Sequence, residues 1–199
     1  MYALTKGLPV GYIAVDYVTM TGRYDSYRYV TSNTNVTDKD TWCIDVECRE
    51  IKDANVGWGS IRTTNKNSAF FTVDVDGKLY LYAALGSVEV QVCPASDFIG
   101  FKHTLKITPT TVEVDDSVII SGATLIPYTQ TMKWYVNGVY CHSAPRGATS
   151  RFYGGWVMRD GALAAHWLPC KRVSDGAYCV FDLVKQEFID PGKTKLTHD

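Results

Sequence analysis

The chain has 199 residues, 46% of them hydrophobic and 13% aromatic, and 20 basic against 21 acidic side chains leave a net charge of −1. That is enough apolar material for one large domain to bury its own core without disulfides or a metal. Near-neutral charge with no basic stripe excludes the electrostatic footprint of a nucleic-acid binder, and no apolar run reaches the length of about eighteen residues that a membrane-crossing helix needs.

The opening, Met1-Tyr2-Ala3-Leu4-Thr5-Lys6, lacks the charged region and apolar stretch of a signal peptide, so synthesis in the cytoplasm without export is expected. Tyr24, Tyr27 and Tyr29 follow, with Arg23 and Arg28 among them. Such Tyr- and Arg-rich surface suits a protein interface or a sugar.

The next segment, Trp42 to Arg49, alternates cleanly. Trp42, Ile44, Val46 and Cys48 share one face, while Asp45, Glu47 and Arg49 share the other, as in a half-buried antiparallel strand. Residues 53–68, rich in Asn, Gly, Thr and Lys, read as a long loop carrying Trp58. With Asn55, Arg62 and Asn65, Trp58 makes the best loop cluster for a ligand or an interface, because aromatic faces stack on sugar rings and amides fix hydroxyls, and plugging a core edge is the equal alternative for Trp58.

Strands are predicted at 70–75 and 78–82 around Asp76-Gly77, and at 132–136 and 139–141 around Asn137-Gly138. Both dipeptides are hairpin signals, since the turn needs positive φ at both positions. Further strands are predicted at 103–108, 111–115, 117–121, 151–158, 163–168 and 177–183, with Pro109 at a bend. Many short strands with no helical periodicity predict an all-β, two-sheet antiparallel sandwich over 1–199 as a single domain.

The six cysteines, at 43, 48, 93, 141, 170 and 179, form no Cys-x-x-Cys pair. Cys43 and Cys48 lie on one predicted strand and point to opposite faces. The spacing favours small buried thiols over a disulfide or zinc framework.

Catalytic signals are weak. Asp45 and Glu47 have the alternate spacing that could set two carboxylates across a glycosidic bond, but Arg49 follows them and a solvated strand face is expected. The histidines at 103, 142, 166 and 198 show no metal or nucleophile spacing. Asp74-Val75-Asp76-Gly77 is half a calcium loop with too few oxygen ligands, and Asp115-Asp116 reads as a turn. No catalytic residue, metal site or cofactor is predicted, calcium being the single one the pattern leaves open.

Several segments together resemble the laminin-G/concanavalin-A-like jelly-roll domains of phage structural proteins. Leu8, Pro9, Gly11, Tyr12, Tyr17, Thr21 and Gly22 match the Leu-Pro-x-Gly-Tyr opening. Trp134 to Gly138 matches a central hairpin. Arg151, Phe152, Trp156, Asp160, Gly161, Leu163, Pro169 and Cys170 match the closing strand–turn–strand, and Gly176, Phe181, Asp182 and Phe188 the final hairpin. The likeness runs over about 180 residues in order and departs from it at Tyr24-Asp25-Ser26-Tyr27 and in the loops 53–68 and 122–131. It implies a jelly roll in a virion, as a head-decorating or tail-associated surface subunit without enzymatic activity. The partners it implies are other virion proteins, further copies of the chain and a host-surface glycan. A carbohydrate-binding, lectin-like protein is the alternative.

Overall fold

The computed structural model describes residues 7–21, 29–51, 56–62, 68–74, 80–125, 132–141 and 144–199. In chain order the strands are β1 (Tyr12–Ala14), β2 (Val18–Met20), β3 (Val30–Asn35), β4 (Asp40–Glu50), β5 (Val56–Arg62), β6 (Ser68–Asp74), β7 (Tyr80–Gly86) and β8 (Val88–Pro94). After one 3-10 turn at Ala95–Asp97 come β9 (Lys102–Ile107), β10 (Thr111–Val114), β11 (Ser117–Ser121), β12 (Lys133–Asn137), β13 (Val139–Cys141) and β14 (Ala144–Arg146). The chain closes with β15 (Thr149–Arg159), β16 (Ala162–Arg172), β17 (Tyr178–Asp182), β18 (Glu187–Phe188) and β19 (Leu196–Thr197).

These strands form the predicted all-β, two-sheet jelly-roll sandwich. Among the described residues the larger sheet has eleven strands, in the order β11-β10-β9-β4-β15-β16-β17-β18, with β1, β2 and β19 added on the β15–β16 side. The smaller has eight, in the order β14-β13-β5-β6-β7-β8, with β3 and β12 attached beside β5. Pairing is antiparallel apart from β13, which runs parallel to β5, and a parallel bridge between Gly57 and Gly147.

The alternation read from β4 is what joins the two sheets. Trp42, Ile44, Val46 and Cys48 are all fully buried. Trp42 lies between aromatic rings of the facing sheet, its centroid 5.3 Å from Trp134 and 6.4 Å from Phe71. Rings at such separations bury large areas and add a small geometric preference. Trp58 and Trp167 are buried as completely as Trp42 and Trp134.

Two turns show their chemistry directly. Asp115 and Asp116 both have positive φ and close a two-residue hairpin between Val114 and Ser117. Asp160 and Gly161 do the same between Arg159 and Ala162, as a turn of the mirror-image type requires.

Two sequence expectations are corrected. Asn137-Gly138 does not close a hairpin: β12 pairs with β3 and β5, while β13 pairs with β14 and β5. Asn137 is instead fully buried, giving a hydrogen bond to Ala148 O at 3.0 Å and accepting one from Ser150 Oγ at 2.9 Å. Those buried partners compete with the turn that the dipeptide favours in isolation. The second correction is the 53–68 loop, most of whose described residues form β5. Its glycines are close-approach positions in a strand. A Cβ on Gly57 would lie 2.0 Å from Phe71 O, and one on Gly59 2.9 Å from Ala69 O. The expected Asp76-Gly77 turn lies outside the described residues.

One end of β4 is fixed by a buried carboxylate. Asp40 accepts hydrogen bonds from Thr37 N at 2.9 Å, Thr37 Oγ1 at 2.8 Å, Trp134 Nε1 at 2.9 Å and Arg159 Nε at 2.7 Å. It therefore ties both sheets and the β4–β15 ladder together. Asp40→Ala removes the acceptor and leaves the Trp134 N–H unpaired in the core. The expected loss is about 3 kcal/mol of unfolding free energy, to be read from urea denaturation against the parent chain.

Candidate functional site

Four of the five tryptophans are core residues, and Trp156 is the one left partly open. It stands on β15 with Cys43 opposite on β4 and His166 opposite on β16, so it lies on the face of the large sheet turned away from the second layer. Just before it the ladder shifts register between Phe152 and Gly154. Such a bulge bends a strand and re-aims the side chains beyond it.

Gly154 and Gly155 put two residues without side chains in succession at this bulge. Gly154 has φ +140, and a Cβ on Gly155 would come within 2.6 Å of Cys43 O and 2.7 Å of Ile44 Cγ2. The strands β4 and β15 can approach only because that position is glycine. The bare backbone floors a trough of about 210 Å³, walled by Tyr153, Trp156, His166, Leu168, Asp45 and Cys43. Its volume is below the usual range for an enclosed small-molecule site. It suits one ring or one side chain laid against the sheet.

The groups at the trough are held in defined states. Burial lowers the basicity of His166, and its Nδ1 has no hydrogen-bond partner among the described residues. The imidazole is thus neutral around neutral pH. Burial pushes the Cys43 thiol up to about 12, so it stays protonated. Asp45 accepts from Thr104 Oγ1 at 2.7 Å and pairs with Lys102 Nζ at 3.3 Å.

Beyond Tyr153 the same face carries a dense polar and aromatic network. Glu47 receives hydrogen bonds from Tyr153 Oη at 2.7 Å, Arg49 at 2.5 Å and Arg151 at 3.4 Å. Burial alone would raise its pKa, but these three donors outweigh that and hold the carboxyl below its ordinary value. Burial and the bond to Glu47 push the Tyr153 hydroxyl up to about 12. Lys102 lies 4.7 Å over the Tyr153 ring and Arg151 4.6 Å over Tyr17. Tyr17 also stacks on His198 at 4.2 Å, whose Nε2 meets Asp16 at 2.8 Å.

This geometry bears on the Asp45–Glu47 spacing. A retaining glycosidase needs one carboxyl with a raised pKa to donate a proton. Glu47 is displaced in the opposite direction, and Asp45 is committed to Thr104 and Lys102.

Of the sequence-predicted site residues, the structure describes the side chains of Trp58 and Tyr29. Trp58 is inside β5, fully buried, 5.6 Å from the Phe98 ring. Its expected role as an exposed loop aromatic is corrected: the alternation of Val56, Trp58 and Ser60 with the close-packed glycines turns it into the core. Asn55, Asn65, Tyr24 and Tyr27 lie outside the described residues, and only the backbone of Arg62 is described, within β5. Tyr29 borders a separate cleft of about 470 Å³ with Thr31, Asn33, Lys133, Asp190 and Lys193, its ring 5.7 Å from Tyr135. In the sequence Trp156 belongs to the closing strand–turn–strand motif. The available signal was the Gly-Gly pair directly before a strand tryptophan, which marks a bulge.

Among the described residues no group of three or more His, Cys, Asp or Glu side chains is placed to hold a metal ion, and Asp115 is engaged by His103 Nδ1 at 2.7 Å and Thr104 N at 2.8 Å. No described helix is long and apolar enough to cross a membrane. No protein-family model matches the chain, and no curated protein matches it.

Glu47 sets an expected acid response. Its folded pKa is depressed, so its stabilisation is complete above the ordinary 4.5 and is lost as pH falls through the lower folded value. Glu47→Gln should lower stability at neutral pH and flatten the part of the stability–pH curve below 4.5. Urea midpoints of the two proteins across that range check this.

Proposed function

We propose that the chain is a non-enzymatic structural protein of a bacteriophage virion, a head-decorating or tail-associated surface subunit that works by attachment. The observation that carries this reading is the outer face of the large sheet. It presents Trp156, Tyr153, Tyr17, Arg151 and Lys102 to solvent or in half-buried positions, while its carboxylates are tied into ion pairs unsuited to proton transfer. Tyr, Trp and Arg are the residues that dominate protein interfaces. Exposed Val10 and Val173 add an apolar rim beside the β1–β16 pairing, where Val173 N bonds Gly11 O at 2.8 Å. The ordered likeness from Leu8 to Phe188 to phage jelly-roll domains supplies the virion context.

The partners on this reading are other virion proteins and further copies of the chain, bound without a cofactor, a nucleic acid or insertion into a membrane. Immunogold electron microscopy with antibody to the chain tests it on particles from the source culture. Regular labelling of heads or tails is the expected result. Unlabelled particles, with the protein confined to cell lysate, overturn it.

The trough favours a second reading, a carbohydrate-binding surface, because a half-open tryptophan beside a neutral imidazole and a carboxylate suits one sugar ring. On this reading a glycan array yields a ligand whose affinity falls about tenfold on Trp156→Ala. An unchanged affinity removes the trough from the binding surface.

A further inference from the structure

Cys170 and Cys179 are directly opposed in the β16–β17 ladder, and their sulfurs lie 3.4 Å apart. Both are free thiols. We propose that this pair is a thiol–disulfide modification site, closed by a low-molecular-weight disulfide such as glutathione disulfide and reopened by thiols.

The ladder geometry allows the bond. Leu183 N bonds His166 O, and Arg172 N bonds Ala177 O, each at 2.8 Å. Hydrogen-bonded pairs recur at every second position, so Cys170 and Cys179 form one as well. The Cα atoms of such a pair are about 5.5 Å apart, within the roughly 4.4–6.8 Å that a disulfide spans.

Neighbouring contacts fix the register. Arg172 holds Asp175 in a two-point contact at 2.8 and 2.5 Å, and Asp175 accepts from Ala177 N at 3.1 Å. This pins the connection between the two strands. On its other side Cys170 is paired with Ala14 of β1. The sulfurs can therefore meet without movement of the strands.

The two thiols are chemically unequal. Cys170 is fully buried, whereas Cys179 is partly open. The hydrogen bond from Cys170, and then the Arg172 charge, hold the Cys179 thiol below its ordinary pKa against the effect of burial, while Cys170 is held up. Thiolate is the attacking form. Cys43 and Cys48, in contrast, are isolated from each other on opposite faces of β4, with thiols pushed up to about 12 by burial.

The steps balance. The Cys179 thiolate attacks one sulfur of glutathione disulfide, forming a mixed disulfide and expelling glutathione thiolate. Cys170 then loses its proton to that thiolate and attacks the Cys179 sulfur, expelling the second glutathione. Two protein thiols are oxidised to one disulfide, and one glutathione disulfide is reduced to two glutathione thiols.

The test treats the folded full chain with glutathione disulfide, blocks remaining thiols and maps tryptic peptides by mass spectrometry. Cleavage after Lys171 and Arg172 separates the two cysteines, so a cross-link appears as a joined peptide pair. The expected result is a loss of two hydrogen masses, a Cys170–Cys179 peptide pair, and its disappearance on reduction with dithiothreitol. Cys170→Ser should trap glutathione on Cys179, and Cys179→Ser should take up none at Cys170. Absence of the joined peptide from the parent chain, stable glutathione on it, or linkage of either residue to another cysteine overturns the proposal, whatever the variants do.

Discussion

Everything in this molecule hangs on one pairing, that of the two eleven-residue strands β4 and β15 at the centre of the large sheet. They are about a hundred residues apart in sequence, so closing them costs loop entropy that only dense contacts can offset. The ladder pairs along its whole length, and an ion pair stands toward each end. Asp40 and Arg159 pair at one end and Glu47 and Arg151 at the other, each between residues that the register sets opposite one another. Like a zip fixed at both ends, the ladder cannot slip without exposing Trp42, Ile44 and Val46, because a one-residue shift reverses every side chain.

The same ladder makes the two faces of the sheet behave as different media. Inward, Trp42 meets Trp134 and Phe71, and the indole of Trp134 is one of the polar groups that Asp40 must satisfy. Outward, charge and aromatic rings are interleaved in partial contact with water, where ion pairs are individually weak and matter chiefly as a network. Glu47 is the exception, little exposed and held by three donors. Those donors outweigh the effect of burial and keep its carboxyl below the ordinary pKa.

The glycines show how one residue type serves opposite ends. Gly57 and Gly59 let β5 and β6 approach and send Trp58 inward; Gly154 and Gly155 let β15 and β4 approach and leave Trp156 at an open trough. In the sequence both segments are glycines beside a tryptophan. Which tryptophan is buried depends on whether the opposite sheet lies over it, and no local pattern records that.

The amino-acid order by itself determined the class of fold. Period-two alternation in β4, the positive-φ dipeptides Asp115-Asp116 and Asp160-Gly161, and the lack of helical periodicity are local properties that act through the nearest few residues. Only the tertiary structure decided the rest. It turned Asn137-Gly138 from a hairpin into a strand junction, because Ala148 and Ser150 supply buried hydrogen bonds. It also set Cys170 against Cys179 and surrounded Glu47 with Tyr153, Arg49 and Arg151. The contacts of Glu47 with Tyr153 and Arg151 join residues more than a hundred positions apart in the chain. Their energies depend on strand register and on exclusion of water, and both arise only once the sheets have closed.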